Sequence, residues 1–136
     1  MSPILLVEDN AIFRKSLRDM LTHRFPEMEI AEASDGEEAL RKLEKINADL
    51  IFMDVRLPGM SGLETTRRIK EADPARQVVI LTSHDIPEYR AAAFGSGASY
   101  FFTKVNTGSD EIANFVKSFF HQRDAVAEAE AKSPEP

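Results

Sequence analysis

The sequence predicts an α/β protein built as one doubly wound, five-stranded parallel sheet with helices on both faces. Short apolar runs recur at 4–7, 28–33, 50–53, 78–81 and 100–102, and segments with helical spacing separate them. Such strict alternation of β and α segments implies parallel strands joined by crossover helices. The runs at 4–7, 50–53 and 78–81 are continuously apolar rather than alternating, as strands covered on both faces are.

Each element has its own local warrant. Phe13, Leu17 and Leu21, joined by Met20, form a helical stripe after the first run, and Asp9 or Asn10 suits its N-cap. The second run, 28–33, alternates. Ala39, Leu43 and Ile46 mark the second helix, opened by a Ser-x-x-Glu capping box at Ser34 and Glu37. A second box at Ser61 and Glu64 opens a third helix with the weaker pair Leu63 and Ile69. Tyr89 and Phe94 fall on the fourth helix. Ile112, Phe115, Val116, Phe119 and Phe120 form the strongest stripe, on the fifth. Phe119 is expected in the core, and Phe120 is balanced between core and surface. From Asp124 the chain runs through alanines and glutamates to Ser-Pro-Glu-Pro. The expected organisation is therefore one domain over 1–123, then a helix end and linker or tail over 124–136.

Composition narrows the function. A chain of 136 residues suffices for one domain with a substantial core. Cysteine is absent, which removes disulfides and thiolate metal sites and fits a reducing compartment. The net charge is −6, and from Asp124 onward Asp124, Glu128, Glu130 and Glu135 face only Lys132. Nothing here is basic enough to bind nucleic acid directly. The first apolar run is too short for a signal peptide or membrane span, so a soluble cytoplasmic protein is expected.

The chemistry lies just beyond the strands. Glu8 and Asp9 follow the first run, Asp54 the third, Thr82 and Ser83 the fourth, and Thr103 and Lys104 the fifth. In a doubly wound sheet these positions share the carboxyl edge, where ligands bind. With the common flavodoxin-like strand order 2-1-3-4-5, strands 1 and 3 flank the switch point, which brings Glu8, Asp9 and Asp54 together. Three carboxylates in one pocket need a cation, and hard oxygen donors without His or Cys favour Mg²⁺. A lysine and a hydroxyl on the far side complete what phosphoryl transfer to a carboxylate requires. Taken singly, each residue has a plainer explanation as a cap, a turn residue or a solvated side chain. Four sites of the needed type at one edge are unlikely to be accidental.

Those residues sit in "ILLVEDN", "ASDGEEAL", "ADLIFMDVRLPGMSGLE", "VVILTSHD" and "GASYFFTK", and the sequence resembles the receiver domain of two-component response regulators over residues 3 to about 122. The resemblance implies that Asp54 accepts a phosphoryl group from a histidine kinase or phosphotransfer protein. It implies Mg²⁺ held by Asp9, by Glu8 through water, by Asp54 and by the Arg56 backbone carbonyl. Lys104 would contact the phosphoryl oxygens, with Thr82 and Phe101 as switch residues. Arg56 and His84 stand at positions that modulate phosphoryl lifetime. Arg56 could shield the phosphoryl group or pair with an acid such as Glu8. The implied output is a surface of the fourth helix, fifth strand and fifth helix, able to form a homodimer. The wording is most similar to receivers of LuxR-type regulators, in which DNA is bound by an attached output domain. A stand-alone receiver acting on a partner protein is the alternative. Either way the chain would be a signalling phosphoacceptor rather than an enzyme.

Other classes fit less well. An aspartate-nucleophile phosphatase would place a second acid where Arg56 stands. A flavin site would want a neutral phosphate loop where "EDNAIF" is acidic. A scaffold-only receiver would be expected to lack one of the key residues. The one clear departure from the family pattern is Val105, where most receivers have proline after a cis peptide. A cis bond costs about 0.5–1 kcal/mol before proline but about 2.5–4 kcal/mol before valine, so a trans bond is expected.

Overall fold

The computed structural model describes residues 2–132. Elements follow in the order β1 (Ile4–Val7), α1 (Ala11–Arg24), β2 (Ile30–Ala33), α2 (Gly36–Leu43), β3 (Leu50–Met53), α3 (Gly62–Ala72), β4 (Gln77–Thr82), α4 (Pro87–Gly95), β5 (Tyr100–Thr103) and α5 (Ser109–Lys132). All strand pairs are parallel and the sheet order is β2-β1-β3-β4-β5. The expected flavodoxin-like topology is therefore the one observed. Two compact units divide the chain, Met1–Asn106 and Thr107–Pro136, and α5 is described by itself.

Strand pleat sorts the core. Leu5, Val7, Ile51, Met53, Val78, Ile80 and Phe101 point to one face and cluster with Ala39 and Leu43 of α2, Ile69 of α3 and Ala93 of α4. On the opposite face Leu6, Phe52 and Leu81 meet Phe13 and Leu17 of α1. Fully burying such an aliphatic side chain is worth about 1.5–3 kcal/mol, so the continuous runs drive the sheet inward. Register then aligns the strand ends: Val7 pairs with Met53, Met53 with Ile80, and Thr82 with Thr103.

Some local details follow expectation and others depart from it. Asn10 caps α1, its side chain accepting the Ile12 and Phe13 backbone N–H groups. Ser61 caps α3 as expected, but the Glu64 carboxylate turns to Arg67 rather than back to the cap. At α2 the cap is Asp35, one residue later than expected, and Ser34 instead donates to Glu38. A carboxylate at position 35 reaches the Glu38 N–H, which leaves Ser34 and Glu38 as the outer pair. α2 ends at Leu43, so Ile46 lies in the turn beyond it, still packed on the core.

In α5, Ile112, Ala113, Val116 and Phe120 are buried, while Phe119 is only partly so. Phe119, expected in the core, is therefore less buried than expected, and Phe120, balanced between core and surface in the sequence, falls in the core. Ala113 belongs to the buried arc and swings its centre toward Phe120, leaving Phe119 at the margin, edge-on to Phe120 at 5.0 Å. The helix end expected from Asp124 runs on to Lys132, and the Ser-Pro-Glu-Pro stretch lies outside the described residues.

Candidate phosphoacceptor site

Backbone hydrogen bonds carry the sheet register past the strand ends. Glu8 N–H donates to Ala33 O, Asp54 N–H to Val7 O at 3.1 Å, and Lys104 N–H to Thr82 O at 2.8 Å. Glu8 and Asp54 thus emerge side by side at the switch point between β1 and β3, with Lys104 at the same edge. Glycine makes the position of Asp54 possible: a Cβ on Gly62 would lie 1.8 Å from the Asp54 carbonyl oxygen. The Gly62 N–H donates to Val55 O at 2.8 Å and closes the loop that contains Arg56 and its carbonyl.

Glu8, Asp9 and Asp54 each offer an oxygen within 4.8 Å of the others. Glu8 and Asp54 are buried, and Asp9 is open to solvent. Glu8 accepts the Asn10 backbone N–H at 3.0 Å and pairs with the Lys104 ammonium, which also reaches Asp54 Oδ2 at 3.4 Å. Burial pushes the Glu8 carboxyl up to about 7; the Lys104 and Asn10 hydrogen bonds oppose the rise and the Asp54 charge adds to it. Asp54 Oδ1 is buried with no hydrogen-bond partner. Buried carboxylate oxygens are normally satisfied, so this one is open to a ligand such as a cation. An all-oxygen set with one member in solvent fits a hard divalent ion such as Mg²⁺, which keeps several waters.

The expected partners of the acids take individual places. Lys104 sits within 4.2 Å of the Phe13 ring centroid. The Lys104–Val105 peptide is trans, as expected, and Val105 is 81% exposed. Thr82 is fully buried at the end of β4, and its hydroxyl accepts the His84 backbone N–H at 3.3 Å. Phe101 is buried, with the Arg90 guanidinium 4.6 Å from its ring centroid.

Arg56 corrects one expectation. It does not pair with Glu8, whose carboxylate is taken by Lys104. Arg56 instead reaches away to Tyr89 of α4, donating from Nε to the phenol oxygen at 3.3 Å, and the His84 ring stands edge-on to the same tyrosine at 6.3 Å. Sequence inspection missed Gly62, Phe13, Tyr89 and Arg90 as site residues. Phe13 and Tyr89 read as helix stripe and surface, and no local pattern marks them otherwise.

Residues 4–117 match the response regulator receiver domain family. The chain belongs to that family. Among curated relatives, the transcriptional regulatory protein DegU of Brevibacillus brevis is 34% identical over 115 residues, covering 84% of this chain and 48% of the relative. A protein-glutamate methylesterase/protein-glutamine glutaminase of Syntrophus aciditrophicus is 42% identical over 81 residues, which are 59% of this chain and 23% of that one. This receiver domain spans about half the length of the first of these and less of the second. A solved two-component response regulator of the LuxR family from Aurantimonas superposes with a TM-score of 0.81 at 29% identity, covering 97% of this chain and 99% of that one. Among the described residues of the receiver, no helix is long and apolar enough to cross a membrane.

Proposed function

We propose that Asp54 is the phosphoacceptor of a two-component phosphorelay, charged by the phosphohistidine of a sensor kinase or phosphotransfer protein. The observation behind this is the Asp54 carboxylate itself: buried, with one oxygen unpartnered, set between two acids and a lysine ammonium. An Asp54 oxygen forms the new P–O bond as the histidine P–N bond breaks, and the imidazole nitrogen keeps the electron pair and takes up a proton. Lys104 is already within reach to neutralise charge on the phosphoryl oxygens. Glu8, Asp9, Asp54 and the Arg56 carbonyl would hold Mg²⁺, which when bound supplies further positive charge for the same transfer. The receiver acts as a signalling phosphoacceptor rather than a turnover enzyme, in the cytoplasm.

The acyl phosphate adds about two negative charges beside Thr82 and Lys104. Interactions available only in that state shift the packing of the last strands and helices, with Thr82 and Phe101 as the moving parts. The output is control of an attached DNA-binding domain, which the resemblance to LuxR-family regulators favours; signalling by the domain over 1–123 to a separate partner is the alternative. The test is intact-protein mass after incubation with Mg²⁺ and acetyl phosphate, with Asp54→Asn as control. A single phosphoryl adduct that vanishes in the variant is expected. No adduct, or one that survives the substitution, overturns the assignment.

A further inference from the structure

Lys104 ends in a flexible four-carbon stem, and little around its backbone aims it. Its tether is the N–H bond to Thr82 O, the next side chain, Val105, projects into solvent, and residues 104–106 form a turn. The ammonium nevertheless lies in the pocket, with its side chain 14% exposed. Two of its three partners there, Glu8 and Asp54, are the carboxylates that hold a divalent cation and accept the phosphoryl group in the function proposed above. Both are therefore claimed by other charges whenever the site is at work. The third partner is neutral: the face of Phe13, 4.2 Å from Nζ to ring centroid. A ring quadrupole attracts an ammonium without being neutralised by a metal or consumed by phosphorylation, and the attraction strengthens when the pair is desolvated.

Phe13 is well held for this purpose. Its N–H is fixed by the Asn10 cap at the start of α1, and its ring lines the small cavity beneath the acidic edge together with Glu8, Leu17 and Asp54. It is only partly buried, unlike Leu17 and Leu21 in the same stripe, so filling the core is not its whole role.

We propose that Phe13 is a positioning residue for Lys104, a neutral seat that keeps the ammonium aimed at the acceptor while Glu8 and Asp54 are engaged elsewhere. This rests on the phosphoacceptor function of Asp54. It is tested in two arms. In metal-free protein labelled with ¹³C,¹⁵N-lysine, the Lys104 ε-methylene resonance, assigned with Lys104→Arg, is expected upfield from ring current. It should move to an ordinary lysine position in Phe13→Leu and stay upfield in Phe13→Tyr. With Mg²⁺ and acetyl phosphate, Phe13→Leu should form the Asp54 adduct about 3- to 10-fold more slowly, the size of one partly desolvated cation–π contact, and Phe13→Tyr should restore the rate. Phe13→Met serves if the leucine variant does not fold. An unshifted Lys104 resonance in the wild type, or wild-type phosphorylation rates in Phe13→Leu and Phe13→Met, overturns the proposal. Those rates would leave the acceptor assignment standing, whereas a wild type that forms no adduct overturns the assignment and the positioning role together.

Discussion

Arg56 and Tyr89 join the loop after Asp54 to α4: the guanidinium Nε donates to the phenol oxygen at 3.3 Å, and the guanidinium carbon lies 5.8 Å from the ring centroid. A neutral phenol at that distance is a weak partner for a guanidinium. A phosphoryl group two residues away on Asp54 offers a stronger, charge-assisted one. Arg56→Ala is therefore expected to change the acyl phosphate half-life by about three- to tenfold, the scale of a ~1 kcal/mol contact, with a smaller effect on the rate of phosphorylation. Radiolabel retention and uptake give the two rates, and equal effects on both would contradict it. Tyr89→Phe keeps the ring and removes the acceptor oxygen, so a smaller change in half-life is expected.

Gly62→Ala tests the seating of Asp54. The added Cβ would meet backbone, the Asp54 carbonyl oxygen at 1.8 Å and the Val55 Cα at 3.0 Å, and backbone cannot rotate aside as a side chain can. Urea unfolding should show a loss of about 3 kcal/mol or more, at the upper end of over-packing costs. Wild-type stability would show that the loop has more room than its geometry indicates.

The Glu8 carboxyl sets a pH dependence whose sign follows from burial. Its ordinary value is 4.5 and its folded value about 7. Below 4.5 both folded and unfolded chains hold the proton. Between 4.5 and 7 the unfolded chain has lost it while the folded chain keeps it, so stability of the metal-free domain falls as pH rises, and levels off above 7. Urea midpoints with chelator present should decline from pH 5 to pH 8 in the wild type, with a shallower slope in Glu8→Gln. Because a metal ligand must be deprotonated, added Mg²⁺ should stabilise the wild type more at pH 8 than at pH 5. Identical slopes for the two proteins would sink this account.

Phe94 on α4 and Tyr100 on β5 are 48% and 49% exposed, and Tyr100 stacks at a tilt on Phe102 at 5.1 Å. We expect these rings in a homodimer strengthened by phosphorylation, so Phe94→Asp and Tyr100→Asp should each weaken it. Light scattering with a beryllofluoride mimic provides the readout. A monomer unchanged by the mimic at high concentration would rule the dimer out.

Much of this protein is legible in its sequence, because burial leaves a periodic trace. Continuous runs such as Ile4–Val7 mark strands covered on both faces, and strict alternation with helical stripes leads to the parallel doubly wound sheet. Once the strand ends share an edge, the types of Glu8, Asp9, Asp54 and Lys104 imply cation and phosphoryl chemistry. Tertiary structure decided the pairing. Lys104 lies 96 positions from Glu8 in the chain and Arg56 33 from Tyr89, and each had several partners of suitable charge. Which one is met depends on register and loop path to within a few ångströms, and periodicity holds no such information. The same limit explains why Phe119 rather than Phe120 lies at the margin of the buried face: a wide stripe shows that a helix has a buried face, and only the packed helix shows where that face is centred.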